Sequence, residues 1–277
     1  MSLHLPVNPE RVLAVIPARL ASTRLPRKVL RDVNGQPLLA WVVEAARRCP
    51  EIRRVIVAAD SEEVAALCRA RGWECLMTSP ELPSGSDRLF AVSREIDADI
   101  YINIQADEPL LGSTHLQALL RPFARPEVSV STLKVPCREE DIANPNAVKV
   151  VTAPDGRALY FSRSPIPYDR DGRQVKYWKH LGLYAYRKKA LERFAALPPG
   201  ELEQIERLEQ LRLLENGINI YVADGLYDTI GVDTDEDLQR VDALLRETER
   251  ERFRAESDRV DGDHNAAAAT LCPNLRE

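Results

Sequence analysis

RVLAVIPARLASTRLPRK, residues 11–28, carries the clearest architectural signal in the chain. Residues 11–16 form a short apolar run rich in Val and Ile, which reads as a buried strand ending at Pro17 and entering a loop. That loop holds Arg19, Arg24, Arg27 and Lys28, with Ser22 and Thr23 as hydroxyl donors. Cations gathered at the carboxyl end of a buried strand suit a triphosphate. The alternative is a solvated basic loop, and the position directly after a strand counts against it. The Walker pattern GxxxxGK[ST] and the dinucleotide fingerprint GxGxxG are both absent, which argues against a P-loop enzyme and a nicotinamide dehydrogenase.

Outward from this stretch, strand and helix signals alternate. Residues 38–48 read as an amphipathic helix and 53–60 as a second strand. Residues 61–72 read as a helix with Ser61 as its cap, acids in its first turn and Gly72 as its stop. A short strand at 74–77, a helix at 85–96, a strand within 98–109 and a helix at 113–121 follow. This rhythm predicts an α/β fold: an open, mostly parallel sheet with helices on both faces and ligands beyond the carboxyl ends of the strands.

The second half changes character. Residues 128–136, 147–161 and 181–187 read as strands, with Asp155-Gly156 as a tight turn, and predict a small strand-rich excursion at about 128–190. Helices are expected at 188–196 and 201–214. In the latter, Leu202, Ile205, Leu208 and Leu211 form a stripe expected to face the core. A last strand is expected at 218–224. Residues 242–260 continue a charged terminal helix, and 261–277 lack periodicity and suit a disordered tail.

Composition narrows the function classes. The chain has 277 residues, 44% of them hydrophobic, and a formal charge of -5. That charge gives no support to nonspecific nucleic-acid binding. The first ten residues lack the apolar core of a signal peptide, and no segment approaches the roughly 20 apolar residues of a membrane span. The five cysteines match no zinc pattern and suit reduced thiols in a cytoplasmic protein.

Two acidic segments complete the chemistry. Asp107 and Glu108 stand where a buried strand leaves the sheet, and Asp233 precedes a helix that Thr234 could cap, with Asp235, Glu236 and Asp237 in its first turn. Those three acids suit the helix dipole. Asp107 and Asp233 could face each other and offer hard oxygen donors to Mg²⁺.

Eight segments in order resemble 3-deoxy-manno-octulosonate cytidylyltransferases, from about residue 11 to 241: PARLASTRLPRKVL, SGSDRL, IQADEP, NPNAVKVV, ALYFSRSPIP, HLGLYAYR, EQLRLLENG and GVDTDEDL. The resemblance implies a nucleotide-diphospho-sugar transferase-like domain over 11–241, a homodimer, and Mg²⁺-dependent transfer of CMP from CTP to 3-deoxy-manno-octulosonate (KDO) or a close acidic sugar such as an amino-substituted form. It implies nucleotide contacts from Pro17, Ala18, Arg19, Arg24, Lys28, Ser84, Gly85 and Gln105, and metal binding by Asp107 and Asp233. Arg19, Lys28, Asp107 and Asp233 would carry the catalysis. For the sugar it implies Arg163, whose fork suits a carboxylate, with His180, Tyr184 and Tyr186, and Glu209, Gln210 and Arg212 as the far wall. Arg27 and Ala106 stand where the family commonly has glycine, and Ser79 and Leu82 where it has arginine and histidine. The rival of another class is a noncatalytic nucleotide-binding or scaffold protein. The presence of Asp107, Asp233 and the basic loop weighs against it.

Overall fold

The structure is a computed structural model that describes residues 8–22 and 24–247. Thr23, Cys272 and the expected features beyond 247 lie outside the described residues.

The first half follows the expected alternation. Strand β1 (Val12–Ala18) is followed by two short strands, β2 (Asp32–Val33) and β3 (Gln36–Pro37), which make a hairpin. Then come α1 (Leu38–Arg47), β4 (Arg54–Ala59), α2 (Glu62–Arg71), β5 (Glu74–Met77), α3 (Gly85–Glu95), β6 (Ile100–Asn103) and α4 (Ser113–Leu120). Ser61 Oγ accepts the Val64 N–H and Gly72 adopts the left-handed conformation, so both ends of α2 close as their residue types dictate.

The second half holds β7 (Val130–Pro136), α5 (Glu139–Ile142), β8 (Lys149–Thr152), β9 (Ala158–Ser162) and β10 (Trp178–Arg187). After these come α6 (Lys188–Ala196), α7 (Glu201–Glu206), α8 (Gln210–Glu215) and β11 (Tyr221–Asp224). Residues 235–247 are helical. The main sheet runs β11-β7-β10-β6-β1-β4-β5, and the β8–β9 hairpin branches from β10. Strands β6, β1, β4 and β5 are mutually parallel, whereas β10 runs antiparallel to both β6 and β7. The sheet is open and mixed. One apolar layer packs α1, α2 and α4 on one face. A second packs α3, α6 and α8 on the other.

Three expectations change. Strand β1 runs through Pro17 to Ala18 rather than ending at the proline. The Val15 carbonyl accepts the Ile104 N–H on the β6 side, so Pro17, two residues on, turns its missing donor to the same side. Pairing with β6 has ended there, at Asn103, so no ladder bond is lost. The expected strand within 98–109 is only four residues long, and the chain from Ile104 onward is loop.

The expected helix over 201–214 breaks at Arg207, which adopts a left-handed conformation with φ of 54°. A continued helix would need the carbonyls of Glu206 and Arg207, but both accept hydrogen bonds from the Arg163 guanidinium. The stripe splits accordingly. Leu208 and Leu211 are buried, while Ile205 is 70% exposed and Leu202 is also exposed.

Candidate active site

The loop after β1 is pinned at several points. Arg27 takes a left-handed conformation, with φ of 58°, at the start of the short 3₁₀ turn Lys28–Leu30. Its side chain pairs with Glu63 rather than joining a phosphate cradle. Lys28, one residue on, turns inward and is only 12% exposed at its side chain.

Lys28 Nζ lies 2.6 Å from Asp107 Oδ2 and 3.0 Å from Asp233 Oδ1. Arg24 adds an ion pair to the other Asp233 oxygen at 2.9 Å. Two carboxylates 126 positions apart thus meet over one ammonium group. Burial by itself would lower the Lys28 pKa, but the charges and hydrogen bonds of Asp107 and Asp233 outweigh it and raise it. The backbone brings the pair together, because the Val232 N–H donates to the Asp107 carbonyl at 2.8 Å. Asp237 accepts from the Asp233 and Thr234 N–H groups and caps the terminal helix, while Asp235 pairs with Arg31. Asp237 thus closes the helix end while bordering the larger of two clefts described below.

Among the described residues no group of three or more His, Cys, Asp or Glu side chains could cage a metal. A pair of carboxylates beside a phosphate site still fits Mg²⁺, which keeps several waters and takes its other oxygens from substrate phosphates.

A cleft of about 770 Å³ opens over this pair, lined by Pro17, Arg19, Ser22, Arg24, Lys28, Gly85, Gln105 and Asp107. A Cβ at Gly85 would meet Pro17 at 3.5 Å and Asn103 at 3.7 Å, both ordinary contacts. The fold therefore does not demand glycine there. Two expected nucleotide residues adjoin the cleft in sequence without lining it. Ala18 is fully buried, and Ser84 spends its hydroxyl capping α3 through a reciprocal pair with Asp87. Ala106 lines the cleft beside Asp107.

A second cleft of about 920 Å³ shares Arg24, Gln105 and Asp233 with the first. His180, Tyr184, Tyr186, Glu209, Gln210 and Arg163 all border it. Tyr184 and Tyr186 also pack in the apolar layer with their rings stacked, so they serve both core and cleft. Burial raises both phenol pKa values and lowers that of His180 to about 3. His180 is therefore a neutral ring, with Nε2 2.9 Å from the Thr132 hydroxyl.

Two expectations on this side are corrected. Arg212 does not border the large cleft; it pairs with Glu203 at 2.7 Å and lies over the Phe194 ring. Arg163 borders the cleft, but its Nε, Nη1 and Nη2 donate to the carbonyls of Glu206, Pro145 and Arg207. Its fork is occupied by main chain. Residues missed from sequence include Ser86, which donates to Glu209 at 2.8 Å, and Lys179, paired with Asp228 at 3.0 Å. Asn103, which borders the cleft with Gln105, was also missed, although alternation along the expected strand would put the two on one face. Its buried Oδ1 and the buried Nε2 of Gln210 have no hydrogen-bond partner among the described residues. Glu108 borders the same cleft, and burial together with the Asp107 charge pushes its carboxyl up to about 7.

Comparison with known proteins shows the family and the fold. The family pattern described as cytidylyltransferase matches residues 13–220. The 3-deoxy-manno-octulosonate cytidylyltransferase of Acidobacterium capsulatum is 62% identical over 240 residues, covering 86% of this chain and 98% of that protein. The enzyme of the same name from Koribacter versatilis is 55% identical, covering 85% and 90%. A solved CMP:2-keto-3-deoxy-manno-octonic acid synthetase complexed with CTP superposes with a TM-score of 0.83 at 41% identity, over 86% of this chain and 99% of that one. A 4-diphosphocytidyl-2C-methyl-D-erythritol synthase from Anaerococcus prevotii shares the fold, with a TM-score of 0.60 at 14% identity.

Proposed function

The chain belongs to the cytidylyltransferase family, and on that premise we propose that it transfers CMP from CTP to the anomeric hydroxyl of KDO. Pyrophosphate leaves, and the product serves lipopolysaccharide synthesis. The observation that carries this reading is the meeting of two polar clefts at Arg24, Gln105 and Asp233, with Lys28 and Asp107 paired to that junction from the smaller cleft. One cleft is lined by cations from the β1 loop and suits a triphosphate; the other is larger and suits a polyhydroxylated acceptor. The identity of the relatives over nearly their whole length supports the same substrates.

In this reaction the anomeric oxygen attacks the α-phosphorus and the bond to the bridging β-phosphate oxygen breaks in line. Arg19, Arg24 and Lys28 meet charge on the phosphate oxygens. Gly85 keeps the cleft open for the nucleoside, and Gln105 stands where nucleotide and sugar adjoin. Neutral His180, with Tyr184, Glu209 and Gln210, offers hydrogen bonds to sugar hydroxyls. Asp107 and Asp233 would hold Mg²⁺, which when bound neutralises phosphate charge. Lys28, paired to both carboxylates, holds them in register before substrate arrives.

The test is pyrophosphate release from CTP, UTP, GTP and ATP, each offered with KDO and with neutral sugar phosphates. Activity is expected for CTP with KDO alone, and exhaustive chelation should abolish it. Equal use of an uncharged sugar would overturn the acidic acceptor, and activity that survives chelation would overturn the metal.

We propose a cytoplasmic homodimer. No helix among the described residues is long and apolar enough to cross a membrane. Of the aromatics concentrated at 160–190, Phe161, Tyr184 and Tyr186 are internal, but Tyr168 is 86% exposed, and Leu159, just before this stretch, is exposed too. Exposed apolar groups on the excursion suit a subunit interface. Sedimentation at micromolar concentration should give twice the chain mass; a monomer would refute the dimer.

A further inference from the structure

We infer that the buried Asp60–Arg88 pair is a positioning device for the nucleotide cleft, holding the Leu20 segment of the β1 loop at a set distance from the Ser84–Gly85 turn. The inference rests on the proposed reaction and deepens it.

Asp60 follows β4, the strand beside β1. Its Oδ1 accepts the Leu20 N–H at 3.0 Å, and its Oδ2 takes an ion pair from Arg88 Nη2 at 3.3 Å. Leu20 directly follows Arg19, which lines the cleft. Arg88 is the fourth residue of α3, so it is coupled by helix geometry to Gly85 at the same helix's start. Its Nη1 donates to Thr78 Oγ1 at 2.7 Å and to the Ser79 carbonyl at 3.1 Å. Thr78 in turn donates to the Ala59 carbonyl at 3.0 Å. One guanidinium thereby joins the segments that leave the carboxyl ends of β1, β4 and β5.

The Arg88 side chain is fully buried and that of Asp60 is 7% exposed. Removing two charges from water is costly, and apolar residues of similar size would serve stability as well or better. Arg88 Nε also has no partner among the described residues, a further cost. What the pair supplies is a fixed, directional link between the loop that carries the cations and the turn that admits the nucleoside. A second link, from Arg19 Nη1 to the Pro83 carbonyl at 3.2 Å, spans the same gap from the exposed side. It is weaker because solvent competes for it.

Neither residue borders either large cleft, so both act through the segments they hold rather than by contact with substrate. The test is steady-state kinetics of Asp60→Asn with each substrate varied in turn. Asparagine keeps the size of the side chain but loses the charge. It can accept from Leu20 only by turning its amide donors toward Arg88. The KM for CTP should rise about tenfold while the KM for KDO stays within about twofold. Asp60→Glu should recover part of the loss.

Thr78→Val removes one Arg88 acceptor and leaves both charges; it should raise the KM for CTP about threefold. This variant decides the matter if Asp60→Asn fails to fold. Lowered thermal stability with an unchanged KM for CTP would make the pair an ordinary buried ion pair and overturn the inference, as would an equal rise for both substrates. Wild-type turnover of CTP with KDO separates this failure from failure of the proposed reaction.

Discussion

Asp107→Asn should lower kcat about a hundredfold and leave the fold intact. The substitution keeps the shape of the side chain and deletes one of the two carboxylates that pair with Lys28. Magnesium draws few ligands from protein, so each counts heavily. The cost falls where charge must be met in the transition state, which places it in kcat rather than in uniform binding. The fold has little at stake. The Asp107 side chain is 31% exposed, and the bond that ties the two acidic segments uses its backbone carbonyl, which asparagine retains. Lys28 keeps Asp233 as a partner. Raising Mg²⁺ should restore part of the rate. Unchanged turnover at limiting Mg²⁺ would remove Asp107 from the catalytic centre.

Much of the architecture is local and therefore legible from sequence. Ser61 and Gly72 bound a helix by their own chemistry, and Asp155-Gly156 makes the β8–β9 turn with Gly156 at a φ of 88°. The cations after β1 and the acid after β6 mark the ligand end of the sheet because that end is set by strand direction. What stayed hidden depends on distant partners. The antiparallel course of β10 through the sheet cannot be read from its own alternation, which is the same for either direction. Ile205 looks like core only while its helix continues, and the helix stops because Arg163, from another segment, takes its carbonyls. Arg88 reads as a surface residue of an amphipathic helix until Asp60 and Thr78 close over it. Asn103 was within reach, two residues before Gln105 on one face of the expected strand, although β6 itself ends at Asn103.

Arg163→Ala should raise the KM for KDO about thirtyfold and also lower the unfolding midpoint. A residue that only touched substrate would do the first without the second. Three of its nitrogens donate to carbonyls of Pro145, Glu206 and Arg207 at 2.8, 2.7 and 3.2 Å. Its own N–H donates to the Glu206 carboxylate at 2.9 Å, a bond the alanine variant keeps. The guanidinium thus joins two walls of the large cleft: the 144–147 turn, and the break between α7 and α8 that presents Glu209 and Gln210. Without it, Asn144, Asn146, Glu209 and Gln210 lose their fixed spacing, and a sugar must order them at its own expense. Bonds from a charged donor are worth about 2 kcal/mol together once solvent competition at this half-buried site is counted, or about 6 °C in a chain of this length. Arg163→Lys should recover little of either effect, because one ammonium cannot reach three carbonyls set around a planar fork. The KM for CTP should stay within about threefold, since the nucleotide cleft draws on neither wall. A stable variant with a raised KM for KDO would return Arg163 to direct contact with the sugar carboxylate, and an unstable one with unchanged KM would confine it to the fold.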